Sequence, residues 1–149
     1  MVFPMSSAPS RFSDFPSDPQ LAHIKLPPHS LEAEQSLIGG VLLDNQAWER
    51  IADLVSETDF YRDDHRRIYR HITKLIDQGR PADVVTVFES LEKNGEAEPA
   101  GGIAYLAEIA NNTPSAANIR RYAEIVRERA ILRKLVAVGD EIASSALSP

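Results

Sequence analysis

Residues 115–149 read SAANIRRYAEIVRERAILRKLVAVGDEIASSALSP, with neither Pro nor Gly before Gly139. Ser115 is placed to cap a helix. A helix from there to about Leu147 would be about 50 Å long at 1.5 Å per residue, more than a domain of this size needs. Ile119, Tyr122, Ala123 and Val126 form one apolar stripe at helical spacing. Ile131, Leu135, Val138 and Ile142 form a second stripe, out of phase with the first, so the apolar face rotates near Ala130 and a bend is expected there. The helices upstream suffice to bury the first stripe and leave nothing to bury the second. An apolar stripe with no internal partner predicts association with another helix, from a second subunit or from sequence beyond this chain. The ending at Ser148-Pro149 carries no proper cap and reads as a domain boundary or a truncation.

Upstream, the helical period recurs. Residues 1–28 are rich in Pro, Ser and Asp without hydrophobic periodicity and read as a flexible N-terminal arm ended by Pro27-Pro28. Ser30 is a candidate N-cap, with Glu32 and Glu34 in the first turn, where the helix dipole favours them. Leu31, Leu37, Ile38, Val41 and Leu42 make one face. Gly39-Gly40 inside this helix costs about 1 kcal/mol per glycine; the pair reads either as a loop or, preferably, as a helix whose backbone a neighbour closely approaches. A second helix is expected from Asn45, burying Trp48, Ile51, Ala52 and Val55. Phe60 and Tyr61 then plug the core.

Asp63 or Asp64 is placed to cap a third helix, with His65, Ile68, Tyr69, Ile72, Leu75 and Ile76 inward and Gly79 and Pro81 as stop signals. Asp83 caps a short fourth helix with Val84, Val87, Phe88 and Leu91 inward, ended by Gly95. Its Val-rich start has strand propensity, and the spacing of Phe88 and Leu91 decides for helix. Gly101-Gly102 opens a fifth helix carrying Ile103, Leu106, Ile109 and Ala110, closed at 111–114. The reading is all-α: a compact bundle of five to six helices over 29–114, then a long helix over 115–149.

With 149 residues, 43% hydrophobic and 26% charged, one ordinary globular core is expected. The absence of cysteine excludes disulfides and thiolate metal sites. Neither a secretory signal nor a run of about 20 apolar residues is present, so the expected compartment is the cytoplasm, with no membrane partner. The net charge of −6 speaks against a protein held on DNA by phosphate neutralisation. It is unevenly spread: residues 115–149 hold 6 Lys/Arg against 4 Asp/Glu, in the mixed pattern of a solvated, ion-paired helix face.

No catalytic or cofactor-binding constellation emerges. There is no Gly-x-x-x-x-Gly-Lys-Ser/Thr to cradle phosphates. His65 and His71 point to different sides of their helix, so a shared metal is not expected and each reads as an ordinary packed or surface histidine. Spacing implies no His-carboxylate arrangement around Ser90 or Ser115. Arg66, Arg67 and Arg70 could touch phosphate, but Asp63, Asp64 and Asp77 nearby favour a paired, solvated face. Tyr105 lies off the core stripe of its helix; partly exposed beside an unpartnered apolar helix, it is a candidate contact residue.

Several segments then stand together in order: Lys25-Leu26-Pro27-Pro28-His29-Ser30-Leu31-Glu32-Ala33-Glu34-Gln35-Ser36 with Gly39-Gly40; Asp59-Phe60-Tyr61 with His65 and Arg70; Gly101-Gly102-Ile103-Ala104-Tyr105-Leu106; and Asn112-Thr113-Pro114-Ser115-Ala116-Ala117-Asn118-Ile119 running into 122–129. This ordered set, over about residues 25–146, resembles the N-terminal region of bacterial DnaB-type replicative DNA helicases. The resemblance implies a helical, non-catalytic domain joined by a linker helix to a RecA-like ATPase domain. Six such domains form a collar, commonly a trimer of dimers, paired through a helical hairpin whose first arm resembles the end of this chain. It also implies docking of the C-terminal domain of primase, a possible helicase loader, and single-stranded DNA only within the assembled ring. The second hairpin helix, the linker and the ATPase domain lie outside this sequence, so ATP, Mg²⁺ and unwinding are assigned to no residue here. Tyr105, Ile131, Leu135, Val136, Val138 and Ile142 are the expected partner-binding residues. The rivals are an unrelated helical adaptor and, on Arg66, Arg67, Arg70 and the basic tail, a DNA-binding module.

Overall fold

The computed structural model describes residues 26–149; the N-terminal arm expected over 1–28 lies almost wholly outside them. Among the described residues there are five α-helices and two short 3₁₀ turns, and no strand. The helices are α1 (Leu31–Leu43), α2 (Asp63–Asp77), α3 (Val84–Lys93), α4 (Gly102–Asn112) and α5 (Ile119–Leu147), with 3₁₀ turns at Asn45–Arg50 and Glu57–Asp59.

Helix α1 is central, packed against α2, α4 and α5. Its apolar residues Leu37, Ile38 and Val41 are fully enclosed, and the glycine pair is what allows this. A Cβ on Gly39 would fall inside Thr113 Oγ1 and 2.9 Å from the Ile109 carbonyl oxygen, and one on Gly40 would sit 3.0 Å from Ile119 Cδ1. The helical cost of the two glycines is therefore offset by the close seating of the α1 backbone against Ile109 and Thr113 at the end of α4 and Ile119 at the start of α5. Ser30 caps α1 by accepting from Ala33 N, and Asp83 caps α3 by accepting from Thr86 N.

Three expectations about helix starts are corrected. The second helix is a 3₁₀ turn followed by open helical turns; Ile51 and Val55 are buried as expected, but Trp48 is only half-buried, tilted on Tyr69, and Ala52 faces solvent. A tertiary lock fixes that chain path: the Asn45 amide donates to the Val41 and Ala82 carbonyls and accepts from Ala82 N. Neither Asp63 nor Asp64 caps α2. Arg62 holds the N-cap position without a side-chain cap, and Glu34 of α1 instead holds the chain just ahead of the helix, accepting from Tyr61 N and Arg62 N. Ser115 does not cap the last helix; its hydroxyl accepts from Ala117 N in a local turn, and α5 begins after Asn118.

The inward faces otherwise follow the spacing, except that Leu31 at the start of α1 is exposed and Tyr61, Ile76, Val84, Phe88 and Ala110 are only half-buried. Ile103 is exposed, because the first turn of α4 looks outward. At the other end of the chain, α5 runs as 29 uninterrupted helical residues through Ala130, about 43 Å. Ile119, Ala123 and Val126 are buried against α1 and the 3₁₀ turns, whereas every residue from Lys134 to Pro149 is exposed. The first apolar stripe of α5 is core. The second is surface.

Candidate contact surface

The outer half of α5 presents Ile131, Leu135, Val136, Val138 and Ile142 to solvent, with Leu135 62% and Ile142 65% accessible. Leu132 and Leu147 extend the same exposed apolar set. Four of these positions, 131, 135, 138 and 142, repeat at the three- and four-residue intervals that place side chains on one helix face. At the root of this arm a cleft of about 620 Å³ lies between α5 and the preceding loops, lined by Val55, Asp59, Arg127, Ile131, Arg133 and Lys134 among others.

Tyr105 does not stand alone on the surface. Its hydroxyl lies 2.6 Å from His65 Nε2 and accepts from Gln35 Nε2 at 3.1 Å, and its ring stacks on the His65 imidazole. His65 is fully buried, and its Nδ1 lies 2.7 Å from Glu34 Oε1. Glu34 is itself 1% exposed and accepts from Tyr61 N at 2.7 Å and, more weakly, from Arg62 N at 3.5 Å. The four groups form one satisfied chain: Gln35 donates to Tyr105, the tyrosine proton is directed at His65, and His65 donates to Glu34. Burial raises the Tyr105 phenol above its ordinary value of 10.0, which keeps that proton in place. The hydroxyl is thus turned inward, leaving the partly covered ring as the portion available to a partner. Beside Gln35, a second cleft of about 420 Å³ is lined by Glu32, Glu108, Tyr122 and Ile125 among others.

Sequence reasoning assigned Glu34 to the helix dipole and missed this role. Helical spacing carries a partial signal, since Glu34 lies one turn from Ile38 on the inward face, but its partner residues are 27 to 31 positions away.

The second histidine is also interior. His71 bonds Ser90 Oγ at 2.7 Å through Nδ1 and Glu96 Oε2 at 2.9 Å through Nε2. A Ser–His–carboxylate set therefore exists where spacing implied none, because the α3–α4 turn folds back over α2. It is a lock, since Ser90 lies within α3, where backbone N–H groups are engaged along the helix and cannot form an oxyanion hole. Glu96 also accepts from Arg67 and Arg70. The His71 hydrogen bond, then Arg67 and Arg70, hold its carboxyl below the ordinary value of 4.5.

Arg66, Arg67 and Arg70 are paired, as expected, though with a different set: Asp63 on Arg66 and Arg67, Glu57 on Arg70, and Glu96 on the last two. Arg66 also donates to the Phe60 and Tyr61 carbonyls. Among the described residues no group of three or more His, Cys, Asp or Glu is arranged to hold a metal ion, and no helix is long and apolar enough to cross a membrane.

The family model described as the DnaB-like helicase N-terminal domain matches residues 26–128. This chain belongs to that family. The DnaB replicative DNA helicase of Haemophilus influenzae is 47% identical over 133 residues, which cover 89% of this chain and 28% of that protein. The chain thus spans little more than a quarter of that relative. The crystal structure of the N-terminal domain of DnaB helicase from Mycobacterium tuberculosis superposes with a TM-score of 0.80 at 39% identity, covering 83% of this chain and 85% of that one. The N-terminal domain of DnaB helicase from Helicobacter pylori, a structure described together with its interactions with primase, has the same fold at a TM-score of 0.65 and 22% identity, covering 78% of this chain and 90% of that one. The family and the all-α architecture read from the sequence are both confirmed.

Proposed function

We propose that this chain is the collar domain of a hexameric replicative helicase, a non-catalytic module that pairs subunits and docks primase. The observation that carries the reading is the apolar face of α5 from Ile131 to Ile142, exposed at the end of a domain whose own core is complete. Such a stripe gains by covering itself against another helix. In the collar, that cover is a second hairpin helix and the hairpin of a neighbouring subunit, built up to a trimer of dimers. Ile131, Leu135, Val136, Val138 and Ile142 make this contact, and the ring of Tyr105, with the cleft beside Gln35, receives the C-terminal domain of primase.

Unwinding, ATP and Mg²⁺ belong to the ATPase portion of the full protein, in the cytoplasm; a helicase loader is a further partner. Single-stranded DNA meets this domain only inside the ring. The pairing of Arg66, Arg67 and Arg70 supports that assignment over a DNA-binding module, since carboxylates beside the arginines cancel the net positive charge that phosphate neutralisation needs.

The test is sedimentation of the chain alone and mixed with the C-terminal domain of its cognate primase. A heavier mixed species, weakened by Tyr105→Ala, is expected. A well-formed dimer or hexamer that takes up no primase would contradict docking and leave an assembly role alone.

A further inference from the structure

Arg133 is the last half-buried residue of α5. Its guanidinium donates through Nη1 to the Pro28 carbonyl at 2.8 Å and through Nη2 to the Asp59 carbonyl at 2.7 Å. Its Cζ lies 5.4 Å from the centroid of the Tyr61 ring. That ring stacks on His29 at 4.3 Å and 15°, and the Tyr61 backbone N–H is held by buried Glu34. Among the described residues no carboxylate pairs with Arg133 at salt-bridge distance. One side chain therefore ties α5 to two separate segments of the globule, using a planar fork with both prongs on backbone carbonyls.

We propose that Arg133 is a positioning residue: a strut that sets the angle at which the apolar arm leaves the globule. Beyond it, 14 residues reach Leu147 with no contact to the globule that would bury them. That is a cantilever of about 21 Å, whose tip moves by about 4 Å for each 10° of tilt at the root. The inward ties of α5 before Arg133, such as Arg127 on the Leu54 carbonyl, hold the helix on the globule but act on the near side of the pivot. The significance for ring assembly rests on the proposed collar function; the strut itself does not.

The chain has no cysteine, so Glu92→Cys and Ser145→Cys, both at exposed positions, accept spin labels cleanly. Electron–electron distances would be measured in the full chain, diluted with unlabelled chain so that only intramolecular pairs are read. The parent should show one narrow distance peak. Arg133→Gln should lose that peak to a broad distribution, with far-UV circular dichroism unchanged; Arg133→Lys, which keeps the charge and one bond, should fall between. Tyr61→Leu removes the stacked platform while leaving both carbonyl acceptors, and should also broaden the peak; it decides the matter if Arg133→Gln does not fold. A folded Arg133→Gln or Tyr61→Leu whose distribution superimposes on the parent overturns the proposal, and an Arg133→Lys indistinguishable from the parent overturns the role of the fork. Sedimentation of the same proteins separates the two readings: a broadened arm in a chain that never associates leaves the strut standing and sinks the assembly role.

Discussion

The two halves of α5 have similar apolar content and opposite fates. Ile119, Ala123 and Val126 are sealed against α1, while Leu135, Val138 and Ile142 stand in solvent on the same unbroken helix. Helical propensity cannot make that difference. What separates the halves is whether the rest of the chain offers a surface, and the globule's cover ends at Arg133. Stability therefore resides in the first half, association is proposed for the second, and substitutions in the two should divide along that line.

The largest effect is expected in the core that both halves depend on, at the seam between α1 and α4. Gly39→Val places side-chain atoms where Thr113 and the Ile109 carbonyl already sit, costing about 3 kcal/mol through overpacking. This would appear as a large fall in the urea midpoint. An unchanged midpoint would mean the close approach is not real. Next is Glu34→Ala, which orphans the buried His65 and the Tyr61 N–H together; about 2 kcal/mol is expected from the loss of acceptors for buried donors. Tyr105→Phe removes only one hydroxyl from the same chain and should cost less than Glu34→Ala by urea titration.

A smaller, pH-dependent effect belongs to Glu96. Its carboxyl is held below 4.5 in the folded chain, so its contribution is present above that pH and is lost as pH falls through the lowered value. Glu96→Gln should flatten the fall in thermal midpoint on acidification below about pH 4.5; a parallel fall in both proteins would remove Glu96 as its source. The smallest effect on stability, within about 0.5 kcal/mol, is expected from Leu135→Asp, which touches nothing in the globule. A large destabilisation there would break the division between the halves.

The division was legible before any coordinates, because apolar residues at helical spacing must be covered and the second stripe outnumbers the available helices. The Gly39-Gly40 contact was legible for a related reason: a costly pair inside a good helix calls for a close neighbour. What the sequence concealed is tertiary in origin. The chain entering α2 is held by Glu34 on another helix, while Asp63 and Asp64 pair with arginines instead of capping. Ser90, His71 and Glu96 meet only because the α3–α4 turn folds back. Asn45 replaces a full second helix with a tighter turn by bonding to Ala82, 37 residues away. Local periodicity reports which face is apolar and carries no information about long-range polar partners.

Equilibrium sedimentation of the parent chain beside Leu135→Asp, over a wide concentration range, decides whether the outer half of α5 is an assembly surface or an idle extension. The parent should exceed its chain mass of 16.5 kDa as concentration rises, while the variant remains at that mass with its helical content intact. Equal masses for the two proteins at every concentration would contradict the account.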